Sequence, residues 1–322
     1  MLDGKTFKPK ATWPATEKDV APFGYDFWYQ PYHNVLISTE WGHPKSFFNG
    51  LDMKHVEEGH YGTHLNVYDW TTRKLIQKID LGMEGVMPLE IRFLHDPKAS
   101  VAFVGCALFA NMFRIFKTDK GDWSAEKVID VPSKKVDGWV LPEMPGVMTD
   151  IIISMDDKYL YFSNWLHGDI RQYDITDTRN PKLTGQVFFG GSIVKEGSVK
   201  VTEDKELSVQ PQTRFAKNGT KKIEGAPQMI QLSLDGRRLY VTTSLFSPWD
   251  KQFYPELCKK VLCQFYNLAV YFWYCTTATV ILRYFHSAPD LLPFLRKLQF
   301  VKERPIKFGR QLILFLLQPN IA

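Results

Sequence analysis

Two kinds of hairpin recur in order along residues 1–257. A recurring supersecondary unit constrains a chain more than any single motif, because one such unit cannot bury its apolar face alone. The first kind is an apolar strand, an acidic turn and a second apolar strand. It occurs at Ile91-Arg92-Phe93-Leu94 with Val101-Ala102-Phe103-Val104, at Ile151-Ile152-Ile153 with Tyr159-Leu160-Tyr161-Phe162, and at residues 229–234 with Arg238-Leu239-Tyr240-Val241. The intervening His95-Asp96-Pro97, Asp156-Asp157-Lys158 and Asp235-Gly236 are turn formers, since Asp and Gly accept the left-handed backbone of tight hairpins. The second kind follows the first: Met112-Phe113-Arg114-Ile115-Phe116 turns into residues 126–129, and Ile170-Arg171-Gln172-Tyr173-Asp174-Ile175 into residues 183–187. Leu65-Asn66-Val67-Tyr68-Asp69-Trp70, turning into residues 75–79, is a third copy belonging to an earlier unit that opens at Gly24.

Two hairpins in series make four antiparallel strands per unit, and Ile91 to Ile151 is a period of 60 residues. The pattern predicts an all-β fold, a partial β-propeller of four-stranded blades, with a β-sandwich as the competing architecture. Residues 43–62 stand out as an insert in the first unit, bearing His43, His55 and His60. Three whole units and the inner hairpin of a fourth are visible before the repetition stops near Leu257. The expected ring is therefore incomplete, with sheet edges left open.

Charge divides the chain at the same place. Residues 258–322 hold nine Lys/Arg against two Asp/Glu, and the other 257 residues hold 31 against 33, so the formal net charge of +5 belongs to the tail. A nucleic-acid partner is not expected from so nearly neutral a body. With 44% apolar residues, a sizeable core is affordable; with four Cys, a disulfide framework is not indicated, and a cytoplasmic location is expected. The N-terminal residues show no charged leader followed by an apolar core. Residues 261–282 carry no charge over 22 positions, long enough to cross a bilayer. Membrane association through this stretch, a buried helix, and an extension standing in for further blades are the alternatives for a tail expected to be helical. The two domains expected are thus 1–257 and 258–322.

None of the common metalloprotease, P-loop, hydrolase-elbow or dinucleotide signatures is present. Cys258, Cys263 and Cys275 are spaced too loosely for zinc, and Cys106 sits in an apolar strand as a small hydrophobe. Site candidates come from the polar residues that end the apolar strands. Ser38-Thr39-Glu40-Trp41 and Ser163-Asn164-Trp165-Leu166-His167-Gly168-Asp169 follow inner hairpins in equivalent places, where propeller loops surround the channel mouth. Glu40, Trp41, His167 and Asp169 are the candidates this places, His167 as a metal ligand or base or else as a turn histidine bonded to backbone. Asp26 and Asp150 are placed similarly. His33, His43, His55, His60, His64 and His95 show no ligand spacing better than chance.

At residues 24–31 (Gly24-Tyr25-Asp26-Phe27-Trp28), 38–41, 88–95 (Pro88-Leu89-Glu90-Ile91-Arg92), 103–107, 141–146, 161–169 and 249–255 the chain resembles the selenium-binding protein family, whose members act as methanethiol oxidases. The resemblance covers residues 1–257 and not the tail. It implies a cytosolic propeller enzyme converting methanethiol, oxygen and water to formaldehyde, hydrogen sulfide and hydrogen peroxide, with copper in its site and selenium bound through a reactive Cys. The family's His-His, Cys-rich and later His/Cys segments have no matching positions here. Only channel-lining or supporting roles pass to Glu40, Trp41, His167 and Asp169, and the chain is expected to retain no copper and to be inactive. The alternatives are a non-catalytic propeller binding scaffold and a variant anchored to a membrane through residues 261–282.

Overall fold

The computed structural model describes residues 1–188, 190–194, 197–206, 223–257, 271–276 and 279–284, the last two spans as backbone only. They lie in one compact unit, Met1–Phe285. Four antiparallel sheets follow one another in chain order, each a simple up-and-down meander. The first comprises β1 (Gly24–Gln30), β2 (Val35–Glu40), β3 (His64–Asp69) and β4 (Leu75–Asp80); the second β5 (Pro88–Phe93), β6 (Val101–Cys106), β7 (Asn111–Lys117) and β8 (Trp123–Asp130). Next come β9 (Lys134–Asp137) and β10 (Glu143–Met144), then a third sheet of β11 (Met148–Ile153), β12 (Tyr159–Asn164), β13 (Asp169–Asp174) and β14 (Lys182–Phe188). A short β15 (Lys200–Glu203) joins β9 and β10 in a small side sheet, and the fourth large sheet holds β16 (Ile230–Leu232), β17 (Arg238–Val241), β18 (Tyr271–Thr276) and β19 (Thr279–Tyr284).

Successive sheets pack through their innermost strands: β1 on β5, β5 on β11, β11 on β16. Each interface has its own apolar cluster. Val35, Ile37 and Leu65 meet Ile91, Phe93 and Val104 between the first two sheets. Phe103 and Met112 meet Ile151, Leu160 and Phe162 between the next two, and Tyr161 and Ile170 meet Ile230 and Leu239 between the last two. Strand periodicity causes this, because alternate side chains of one sheet point at the neighbouring sheet. Cys106 is wholly buried in the first of these clusters, the small apolar role its surroundings suggested.

The propeller-like blades match the architecture expected from the repeats, and no closed ring forms. The described spans of the tail differ from the helical expectation. Residues 271–276 and 279–284 are strands that pair with β17 and with each other, so the fourth sheet gains the outer hairpin that its sequence does not announce. The physical reason is twofold: Tyr, Phe, Trp, Thr, Val and Ile dominate these spans and favour strands, and β17 would otherwise present an unpaired edge. Of the uncharged 261–282 stretch, residues 261–270 and 277–278 lie outside the described residues. Among the described residues no helix is long and apolar enough to cross a membrane.

The loops at one end of the sheets are long and carry the helices. The insert between β2 and β3 forms α1 (Pro44–Phe47) and α2 (Met53–Glu57), and α3 (Ser247–Phe253) follows the fourth sheet's inner hairpin. Trp249 Nε1 donates to the Phe47 carbonyl at 3.0 Å, while Gln252 accepts from Leu51 N and donates to Leu51 O, tying the fourth unit's loop to the first unit's insert. An apolar cluster built around Trp165, Leu166, Trp249 and Tyr254 fills the space beneath.

Candidate functional site: a carboxylate ring around Arg92

Each of the first three inner strands begins with a break in register: between Gly24 and Phe27, between Pro88 and Ile91, and between Met148 and Asp150. A bulge re-aims the side chain it carries. In all three the acidic residue stands two positions after the residue that opens the pairing: Asp26 after Gly24, Glu90 after Pro88, Asp150 after Met148. The fourth inner strand carries Met229 there, as the matching contacts show: Asp26 N donates to Thr39 Oγ1 at 3.0 Å, and Met229 N to Thr242 Oγ1 at 3.2 Å.

Two of the acids also bind the sheets to one another. Asp26 accepts from Ile91 N at 3.1 Å, and Thr39 donates to Leu89 O at 2.6 Å. Two units later the same geometry returns, with Asp150 accepting from Ile230 N at 2.6 Å and Ser163 donating to Gln228 O at 2.6 Å. The conserved geometry within this one chain explains why Thr and Ser stand at the ends of β2 and β12.

Among the described residues one guanidinium, Arg92, enters the ring. It donates to Asp26 Oδ2 and to Glu90 Oε2, each at 2.7 Å, and its carbon lies 4.7 Å from the centre of the Trp28 ring. Three carboxyls therefore share one cation. Glu90 is buried, and burial raises its carboxyl well above the usual range, with Asp150 and Asp26 adding to the effect. Burial likewise pushes Asp150 up to about 7, against the pull of Arg92 and of two backbone N–H groups. Asp26 and Arg92 remain partly exposed, so the ring is open to solvent on one side. Its chemistry is that of a proton reservoir beside a fixed positive charge.

Of the residues singled out in the sequence, Asp26 and Asp150 are gathered in this ring, while Glu40, Trp41, His167 and Asp169 lie outside it. Glu40 is buried at the end of β2, where Asn66 Nδ2 donates to it at 2.9 Å and His64 Nδ1 lies 3.7 Å away; Gly62 leaves the space its carboxylate fills. Trp41 stacks on Phe47 with centroids 3.9 Å apart and meets Tyr25 edge-on, at the mouth beneath the insert. Glu90 and Arg92 were missed as candidates. The acid's fixed offset at the start of each inner strand is the signal that finds Glu90.

His167 and Asp169 belong to a second buried cluster, between the third sheet and the side sheet. His167 Nε2 is 3.0 Å from the Met144 carbonyl, and burial holds its imidazole down to about 4, so the ring is neutral and donates through Nε2. Gly168, at φ +81°, lets the chain turn where any Cβ would strike the Gly190 carbonyl. Asp169 accepts from Arg171 Nε at 2.8 Å and from Gln186 Nε2 at 2.6 Å. Burial opposes its ionisation, but the charge of Arg171 and these bonds prevail and keep it below the usual carboxylate range. Arg171 also grips Glu206 with both terminal nitrogens, at 2.5 and 2.7 Å, and buried Lys134 reaches Asp204 at 2.6 Å. Nearby, a cavity of about 430 Å³ is lined by Trp139, Ser192, Phe253 and Tyr254 but by none of the ring's carboxyls.

The resemblance implies copper. The ring offers carboxylate oxygens with a guanidinium among them, whereas copper in thiol and oxygen chemistry favours imidazole and thiolate. Cys106, the free cysteine among the described residues, is buried between sheets with its thiol pushed up by burial. The carboxylate ring therefore does not fit the copper that the resemblance implies.

Comparison with known proteins places the chain among relatives. Residues 1–315 match the 56 kDa selenium-binding protein family. Over 260 residues the chain is 64% identical to a methanethiol oxidase of Xenopus tropicalis and 58% identical to one of Homo sapiens, covering 81% of this chain and 54% of each relative. It is 59% identical over 262 residues to selenium-binding protein 2 of Mus musculus. A crystal structure of a hypothetical selenium-binding protein from Sulfolobus tokodaii superposes with a TM-score of 0.69 at 34% identity, covering 88% of this chain and 58% of that one. The chain thus spans about half the length of the curated relatives it matches. The family match to residue 315 also extends beyond the boundary at 257 that the motifs suggested.

Proposed function

The chain belongs to the 56 kDa selenium-binding protein family, and from that premise we propose that its four sheets form a thiol-handling channel of the methanethiol oxidase type, which does not complete oxidase turnover by itself. The observation that carries this reading is the ring of Asp26, Glu90 and Asp150, placed by one repeated bulge around Arg92. A thiol is a poor donor of electrons until its proton leaves. A buried carboxyl that titrates at about 7 is half ionised at neutral pH and takes such a proton efficiently, because its affinity is matched to the medium. Arg92 stands beside it as the fixed charge that steadies a small sulfur or selenium anion. The same carboxyl, once protonated, returns the proton to the thiolate as the thiol leaves.

The overall conversion, methanethiol, oxygen and water to formaldehyde, hydrogen sulfide and hydrogen peroxide, balances in atoms. Its oxidative half needs a redox centre of imidazole or thiolate donors, and the channel's own groups are assigned proton handling alone. Buried Cys106 is not assigned selenium attachment, because an inaccessible, protonated thiol is a weak nucleophile.

The test uses the whole 322-residue chain. Methanethiol binding followed by calorimetry should change with pH around a midpoint near 7, and Asp150→Asn should flatten that dependence; absence of binding at every pH would refute the channel reading. Incubation with methanethiol, oxygen and copper should release no sulfide, formaldehyde or peroxide above the protein-free control, and sustained product formation would refute the claim of incomplete turnover.

A further inference from the structure

The insert of the first unit folds three potential ligands onto one another. Asp52 caps α2 by accepting from Lys54 N, the helix runs to Glu57, and Gly59 at φ +74° reverses the chain so that His60 returns over the helix. His60 N then donates to the His55 carbonyl at 2.9 Å. As a result one ligand atom from each of His55, Glu58 and His60 lies within 4.8 Å of the other two. The two imidazoles are 5.1 Å apart, centre to centre.

Two further observations concern the nitrogen lone pairs. His55 Nδ1 is buried and has no hydrogen-bond partner in the protein. His60 Nδ1 is 3.0 Å from Ser46 Oγ. When Nδ1 donates to that hydroxyl, the lone pair falls on Nε2, which lies 3.8 Å from Glu58 Oε2. A polar partner on the second ring nitrogen is how proteins orient a metal-binding histidine.

We propose that His55, Glu58 and His60 form a binding site for a zinc-class divalent cation, held by two imidazoles and one carboxylate with water completing a tetrahedron. The donor set suits zinc, whose ligand atoms stand about 3.3 Å apart when bonds are about 2.0–2.1 Å. Closing the remaining gap needs only side-chain rotation, since His60 and Glu58 are 40% and 44% exposed. Lys54, 3.7 Å from Glu58 across the helix surface, is displaced by the incoming cation. His43 lies beside the site, its ring 6.2 Å from that of His60, but its Nδ1 already accepts from Lys45 N and it is left out of the set. Because α1 and the residues up to Leu51 are tied to α3, the ion would brace an insert that is already held at that side. The site stands apart from the ring's carboxyls and does not depend on the channel reading.

Equilibrium dialysis and calorimetry of the full chain with Zn²⁺ alone should show one ion bound per chain. His55→Ala and His60→Ala should each weaken binding by about tenfold or more and Glu58→Gln by a smaller factor, while His43→Ala and Asp150→Asn leave it within about threefold. Metal-free melting temperatures of the three histidine variants and of Glu58→Gln should equal that of the parent, showing intact folding. Co²⁺ added to the unmutated chain should give the visible absorption of a four-coordinate nitrogen and oxygen site. Failure to bind zinc, binding by either the His55 or the His60 variant as tight as the parent's, or a Co²⁺ spectrum indistinguishable from the free ion would each overturn the proposal.

Discussion

Two buried charge clusters sit in neighbouring parts of this molecule, and they behave in opposite ways. The channel ring sets Asp26, Glu90 and Asp150 around one cation, Arg92. The cluster beside the third sheet sets Asp169, Asp204 and Glu206 against two, Arg171 and Lys134. Burial opposes the charged form of Asp150, Glu90 and Asp169 alike. Where cations nearly balance the acids, Asp169 stays below its ordinary range; where they do not, Asp150 is pushed up to about 7 and Glu90 well above its ordinary range. The ratio of cations to acids, not depth, separates a cluster that fastens two sheets from one that can exchange protons.

The sharpest way to test the contrast is to remove each arginine. Arg171→Met strands Asp169, which is fully buried, together with the two bonds to Glu206. A loss of about 3–5 kcal/mol in unfolding free energy is expected by urea denaturation at pH 7. Arg92→Met should cost less, about 1–3 kcal/mol, because Glu90 is already disposed to protonate and Asp26 keeps its bond from Ile91 N. Equal losses at the two sites would erase the distinction.

The next test is the sign of the pH dependence. Asp150 in the folded chain titrates at about 7, above its ordinary 3.8, so between those values the folded state holds a proton that the unfolded state has released. Stability from this group is therefore full below about 4 and falls as pH rises towards 7. Asp150→Asn keeps an acceptor for Ile230 N and removes the charge. It should raise unfolding free energy at pH 8 by about 1 kcal/mol or more, with little gain at pH 4. A variant destabilised at pH 8 would show that the ring needs this charge for its fold.

How much of this could be read from the amino acids follows the physics of each part. The inner hairpins were legible because alternation and acidic turns are local signals, and Asp26 and Asp150 were placed because they interrupt apolar runs. Glu90 and Arg92 were passed over: a charged pair inside a strand reads as a solvent face, and only packing of β5 between β1 and β11 turns it inward. The His55, Glu58 and His60 group had no telling spacing because the reversal at Gly59, not the sequence interval, brings it together. The outer hairpin of the fourth sheet was hidden for a different reason. An uncharged aromatic run satisfies a helix, a span and a strand alike until the edge of β17 selects among them.

His167 completes the contrast with the smallest expected effect. Burial lowers its imidazole to about 4 from an ordinary 6.5, so between those values the unfolded chain carries a proton that the folded chain refuses. Stability from this residue is full above about 6.5 and is lost as pH falls towards 4, the reverse of the channel's slope. His167→Gln retains an N–H donor for the Met144 carbonyl and cannot titrate. At pH 5 it should melt about 2–4 °C above the parent and at pH 8 within about 1 °C of it, as followed by circular dichroism. If His167→Gln instead melts lower at both values by the same margin, the histidine contributes packing alone and the opposition between the two clusters rests on their carboxyls.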